Sequence, residues 1–172
     1  MRLASSEVIK RWLDLGSKLS IQNFEPKMLQ HVTYCIRLGE HLEVLRSNGS
    51  WESESVDELI SYELSPHEYV KIWSLEEMSL STDVCGIFGP ISDLIEQGLE
   101  LVYSPFIEPL FRGRLRLGLC NVLSCPIQIR MSQPVGKILF FDVSDSNLQK
   151  QAPRSTMNRD LTAFRRYVVL IR

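Results

Sequence analysis

Metal-binding cysteine spacing is missing from this chain. Its four cysteines, Cys35, Cys85, Cys120 and Cys125, form no CxxC pair. Cys120 and Cys125 flank a predicted turn with no histidine beside them, so reduced, half-buried thiols are expected and no zinc site. Long apolar runs are missing too. None approaches the roughly 18 residues that span a bilayer, and the N-terminal MRLASSEVIKRWLDL carries charges inside its apolar stretch and no small-residue cleavage pattern. An excess of one charge is also absent. With 23% charged residues and a net charge of -2, nothing calls for nucleic acid or an anionic membrane as partner. The expectation is a soluble, cytoplasmic protein. There is no internal repeat and no low-complexity tract.

What is present is enough apolar residue, 44% of 172 positions, to bury one core of ordinary size. Residues 5–15 predict a short amphipathic helix. Ser5 or Ser6 caps it, Glu7 suits its positive end, and Val8, Ile9, Trp12 and Leu13 make one apolar stripe. Gly16 stops it. His31–Leu38 alternates as a strand. Residues 46–58, RSNGSWESESVDE, are rich in serine and acid and read as a surface insertion or mobile loop, which Trp51 pins to the body.

Glu68–Trp73 predicts a strand and Leu75–Leu80 a connecting segment. Val84–Phe88 predicts a strand ending at Gly89-Pro90. Pro90 then suits the first turn of a helix of about two turns, which Gly98 ends. Strands follow at about 99–103, 113–123, 126–131 and 135–143, broken by Pro105, Pro109, Pro126 and Pro134. Short strands with turns every 8–12 residues or so predict a mostly β barrel or sandwich with short peripheral helices. In the strand from 114 to 123, Leu115, Leu117, Leu119, Asn121 and Leu123 share one face, which reads as core. Arg114, Arg116, Gly118, Cys120 and Val122 share the other. Glycine inside a strand marks a bulge or the close approach of another group.

The order of segments resembles the dCTP deaminase/dUTPase family, and the deaminases most of all. Leu29–Gly39, LQHVTYCIRLG, is similar to their LQPxSYDLRLG. Phe106–Gly113, FIEPLFRG, is similar to WIDPGFEG and to the dUTPase VIDxDYRG. Asn121 sits where the following strand ends in both. Pro126–Phe140 follows PVxLRPGxRIGQLxF through Pro126, Arg130, Gly136 and Phe140, and Gly89–Leu99 lies where the family carries GRSSLARLGL. The resemblance covers about residues 5–155, leaving 156–172 as a tail on the same domain or a neighbouring subunit.

The resemblance implies a distorted jelly roll or β-barrel of the dUTPase-like type. It further implies a homotrimer, sites for a deoxynucleoside triphosphate between subunits, and magnesium carried on the triphosphate. Zinc-dependent nucleobase deaminases need H-x-E followed by P-C-x-x-C, and neither is present. Deamination without metal requires a group that takes a proton from water and hands one to the departing amine. The deaminases place that glutamate in GxIxLEF; here the strand reads GRLRLGL, and the position is Gly118. The phosphate-binding segment differs as well. The family arginine after glycine falls on Pro90, its serine pair survives as Ser92, and its later arginine falls near Glu96.

Five candidate residues remain. Glu108 stands at the aspartate of WID/VID and is either the catalytic carboxylate or an exposed turn residue. Gln149, in LQKQAPRS, is similar to the closing YQxQxGP stretch or is a polar loop residue. Arg114 and Arg116 supply charge to a nucleotide or pair with acids across a subunit interface. Ser92 is a phosphate ligand or an ordinary helix residue. From Lys150 onward the chain has six basic residues and one acid, Asp160; 159–166 has helical character and 167–171 strand character. Three functions stay open: an impaired deaminase homologue that still binds dCTP or dUTP, an active deaminase or diphosphohydrolase using Glu108, and a non-enzymatic trimeric interaction protein.

Overall fold

The computed structural model describes residues 1–56 and 61–144. Gln149 and the basic tail lie outside the described residues. In chain order the elements are β1 (Arg2–Leu3), α1 (Ser6–Leu15), β2 (Leu19–Gln22), a 3-10 turn (Pro26–Met28), β3 (Thr33–Leu45), β4 (Trp51–Ser55), β5 (Tyr62–Leu64) and β6 (Tyr69–Leu80). They continue with β7 (Val84–Pro90), α2 (Ser92–Glu96), β8 (Leu99–Val102), β9 (Phe106–Ile107), β10 (Arg112–Asn121), β11 (Ile127–Ile129) and β12 (Pro134–Asp142).

The expected mostly β architecture is what is found. One curled, antiparallel sheet runs β8-β10-β6-β3-β12-β7-β9, with β1 added to β12, β2 to β6 and β4 to β3, while β5 and β11 pair separately. Its concave side encloses Tyr34, Ile36, Leu38, Ile72, Leu119, Ile138 and Phe140, all inaccessible to solvent. Helix α1 closes one end as its pattern predicts. Ser5 accepts a hydrogen bond from Val8 N, Gly16 takes the left-handed conformation (φ 58°), and Ile9 and Trp12 are buried. No helix among the described residues is long and apolar enough to cross a membrane.

Four expectations are corrected. The segment expected as a loop at 46–58 is no free loop over its described part, 46–56: after a turn at 46–50, β4 pairs with β3 from His41↔Ser55 to Leu45↔Trp51. Trp51 packs edge-on against Tyr69 with ring centroids 6.1 Å apart. Leu75–Leu80 is no connector either, because β6 runs unbroken to Leu80. Every second residue from Val70 to Leu80 is buried, on a strand paired with β2, β3 and β10, and two of those buried positions hold the polar Ser74 and Glu76, which hides the continuity from a reading of apolar alternation. Pro90 ends β7 and does not open a helix, and α2 is a single turn of five residues whose N-cap, Ile91, offers no side-chain cap. Leu123 lies beyond β10 and is 40% exposed, so it is not part of the core stripe.

The sheet is irregular where β6 meets β3 and β10. Register shifts occur between Leu38 and Leu42 and between Arg114 and Arg116. Such bulges leave ladder groups unpaired, and buried backbone groups need partners. Side chains supply them. Ser74 Oγ accepts from Leu115 N at 2.8 Å and donates to Glu76 O at 2.7 Å. The Glu76 carboxylate accepts from Arg37 N at 2.9 Å and from Arg37 Nε at 2.7 Å. Gly39 belongs to the same bulge, for a Cβ there would stand 2.9 Å from Trp73 O. The third buried polar residue among those described, Asn121, ties β10 to the neighbouring turns. Its Nδ2 donates to the carbonyls of Leu64, Ser65 and Cys125, and its Oδ1 accepts from Leu123 N.

Candidate functional site

The described residues singled out from sequence lie on different parts of the fold: Ser92 on α2, Glu108 after β9, and Arg114, Arg116 and Gly118 on β10. Ser92 opens α2 and lines a cleft of about 380 Å³. The other polar groups of that cleft are Lys27, Gln30, Cys35, Asp93 and Lys137. Fold topology brings them together. Lys137 of β12 lies opposite Cys35 of β3 and Gly89 of β7, and Lys27 comes from the 3-10 turn that precedes β3. Lys137 Nζ donates to Gln30 Oε1 at 3.1 Å. Burial pushes the Cys35 thiol pKa up, although the Lys137 charge opposes that rise. Two ammonium groups and a serine hydroxyl against one carboxylate give this cleft the charge balance of an anion receptor. An adjoining cleft of about 410 Å³ holds a single cation, Lys10, with Ser6, Leu29, Gln30 and His31.

The sequence motifs passed over Lys27 and Lys137. The matching stretch was followed through Gly136 and Phe140, and Lys137 lies between them. Its relevance depends on β3 and β7 flanking β12, which is not local information.

Glu108 is exposed in the turn after β9. Its backbone carbonyl accepts from Phe111 N, and no described residue hydrogen-bonds its carboxylate. It stands near Cys85, whose thiol pKa is raised first by burial and further by the Glu108 charge.

Arg114 and Arg116 project from the outer face of β10. Arg114 Nη1 lies 3.5 Å from Glu40 Oε1 in the same chain. The Arg116 guanidinium lies 5.3 Å from the centroid of the Trp73 ring, and His41 tilts against the same ring at 4.9 Å. Both arginines are therefore engaged, one by an acid and one by an aromatic face.

Gly118 is buried, with Lys71 of β6 and Val102 of β8 as cross-strand neighbours. The place a side chain would take is filled by Tyr69. A Cβ built on Gly118 would stand 2.6 Å from Tyr69 Cζ and nearer still to Oη and Cε2. Lys71 Nζ lies 3.4 Å over the Trp51 ring and 3.2 Å from Glu43 Oε2. Among the described residues no cluster of His, Cys, Asp and Glu could hold a metal ion.

Comparison with known proteins agrees with this architecture. A family model described as dCTP deaminase-like matches residues 3–143. A dUMP-forming dCTP deaminase of Methanoculleus marisnigri is 28% identical over 134 residues, covering 72% of each chain. The enzyme of that name from Corynebacterium kroppenstedtii is 29% identical over 156 residues, covering 83% of this chain and 82% of its own. Among solved structures, 2'-deoxycytidine 5'-triphosphate deaminase from Agrobacterium tumefaciens superimposes with a TM-score of 0.67 at 17% identity. That match covers 81% of this chain and 48% of the Agrobacterium chain, so this protein spans about half the length of that one. With the family model matching most of its length, the chain belongs to the dCTP deaminase-like family.

Proposed function

We propose that this protein binds a pyrimidine deoxynucleoside triphosphate, dCTP or dUTP, and is impaired as a deaminase. The observation that carries the binding half is the cleft at Ser92, where Lys27 and Lys137 offer two ammonium groups. A triphosphate spreads several negative charges over one end of its molecule. Charge-assisted hydrogen bonds from lysine and hydroxyl groups are about twice as strong as neutral ones. In this reading Lys27 and Lys137 take over from the family arginines, whose positions here are Pro90 and Glu96. Magnesium travels with the triphosphate.

The impairment rests on Gly118. Relatives named dUMP-forming dCTP deaminases act on dCTP, and proton transfer to and from the cytosine amine needs a titrating side chain. Glycine has none, and general acid/base catalysis is worth about 10²–10⁴-fold in rate. Glu108 as a replacement catalyst gains no hydrogen-bond partner among the described residues, so the reading of an active deaminase or diphosphohydrolase stays second. Arg114, Arg116 and Gln149 belong to the proposal as contacts from a neighbouring subunit of a cytoplasmic homotrimer, and the tail beyond 155 as an arm on the same assembly.

The test is a thermal-shift screen against dCTP, dUTP, the other deoxynucleotides and their ribonucleotide counterparts, with magnesium, followed by product analysis. A ligand at about 100 times its Kd stabilises the native state by about 2.7 kcal/mol, which for a chain of this size raises Tm by roughly 5–10 °C. A rise with dCTP or dUTP and no product is the expected result. A rise with product would return the protein to the enzymes. No rise with any nucleotide on folded protein would overturn the binding proposal and leave a trimeric interaction protein.

A further inference from the structure

The outer face of β10 has a gap and a ring that fills it. Gly118 leaves the gap. Tyr69, opposite Cys120 in the β6–β10 ladder, lies diagonally across it, which brings the phenol end of the ring into the space a side chain at 118 would enter. Aromatic rings laid over a strand glycine recover packing that the glycine forfeits. Tyr69 is held from the far side by Trp51, edge-on at an interplanar angle of 77°. Trp51 in turn lies under Lys71, which is fixed by Glu43. Three strands besides β10 therefore contribute to one surface.

We propose that Tyr69 determines what this face presents to a ligand. Its ring stands where a side chain on residue 118 would reach, so a bound base meets an aromatic ring and its phenol, and no carboxylate. The significance of the ligand rests on the nucleotide reading above; the coupling of the two residues does not. Two positions, and not Gly118 alone, separate this face from one that carries a carboxylate. A side chain introduced at 118 must first push the ring into solvent, because Tyr69 is already 37% exposed and has room to leave.

The experiment is a double-mutant cycle on the full chain. With Tyr69 in place, Gly118→Ala is expected to lower Tm by roughly 2–6 °C, through displaced packing. In the Tyr69→Ala background the same change is expected to raise Tm by roughly 1–3 °C, since alanine is the better strand residue once the space is empty. Tyr69→Phe retains the ring and should leave the penalty intact. An equal effect of Gly118→Ala in both backgrounds would overturn the proposal. So would ammonia release from dCTP at equal rates by Gly118→Glu with Tyr69 retained and by Gly118→Glu in the Tyr69→Ala background. The nucleotide-induced shift of the unsubstituted protein is read in parallel. Its absence would remove the nucleotide reading without touching the measured coupling between residues 69 and 118.

Discussion

The Glu76 carboxylate, wholly enclosed, holds Arg37 by its backbone N–H and by its Nε. The same guanidinium donates from Nη2 to Asn23 O at 2.6 Å. Breaking a buried pair on one side leaves the other charge uncompensated, at a cost of about 3–5 kcal/mol. Glu76→Gln retains the shape but loses one acceptor and the charge, so it is expected to destabilise by about 3 kcal/mol in urea unfolding. Arg37→Met paired with Glu76→Leu should lose clearly less than the two single changes added together.

Asn121 is a fold residue in the same sense. Removing its amide in Asn121→Ala strands three carbonyls and the Leu123 N–H, and is expected to cost about 2–4 kcal/mol. Asn121→Asp should be worse at neutral pH, because a carboxylate would face the carbonyl oxygens of Leu64, Ser65 and Cys125. Denaturant midpoints of the two variants at pH 7 check the order.

Lys18 and Asp142 give the protein an acid limb. Burial alone would raise the Asp142 pKa. The hydrogen bond from Lys18 at 2.8 Å and the bonds from Ser144 outweigh it and hold the pKa at about 2, below the ordinary 3.8. A depressed folded-state pKa adds stability that is complete above the unfolded value and is lost as pH falls through the folded one. The contribution is about 1 kcal/mol after solvent screening and should fade from about pH 5 downward, to be gone by about pH 1. Lys18→Met is expected to flatten that part of the stability–pH curve, measured by urea melts in 0.1 pH steps or coarser.

Lys137→Gln tests the cleft at Ser92. Loss of one ammonium group should weaken dCTP or dUTP by roughly 5–10-fold, about 1–1.4 kcal/mol. The unliganded Tm should change little, since Lys137 bonds only Gln30 among the described residues. Binding of the corresponding nucleoside, which has no phosphates, should not respond. Equal weakening of nucleoside and triphosphate would move the phosphates away from Lys137.

Much of the fold was legible because its signals are local. Ser5 and Gly16 bracket α1 as capping chemistry requires, and the strand pattern located β7, β8, β10, β11 and β12 but not the two-residue β9. The serine- and acid-rich β4 escaped, since its strand character comes from pairing with β3 and not from its own residues. The continuity of β6 escaped for a similar reason: the bulge at Ser74–Glu76 puts a buried glutamate where alternation expects an apolar residue. At the site, Gly118 was visible as a missing carboxylate, but Tyr69 lies 49 positions earlier in sequence and meets it only across a ladder. Lys27 and Lys137 are farther apart still, and they line one cleft because β12 pairs with β3, which the 3-10 turn precedes.

The short strand β4 also bears on solubility. Among the described residues β4 pairs only with β3, and an open strand edge templates the stacking of one molecule on another. Two carboxylates in five residues, Glu52 and Glu54, are gathered there by Arg46 from the preceding turn. A like edge approaching in register would bring four acids together and have to pull both arginines aside. The stretch that looks least structured in composition is thus a gatekeeper, which stops the sheet from growing past its own chain.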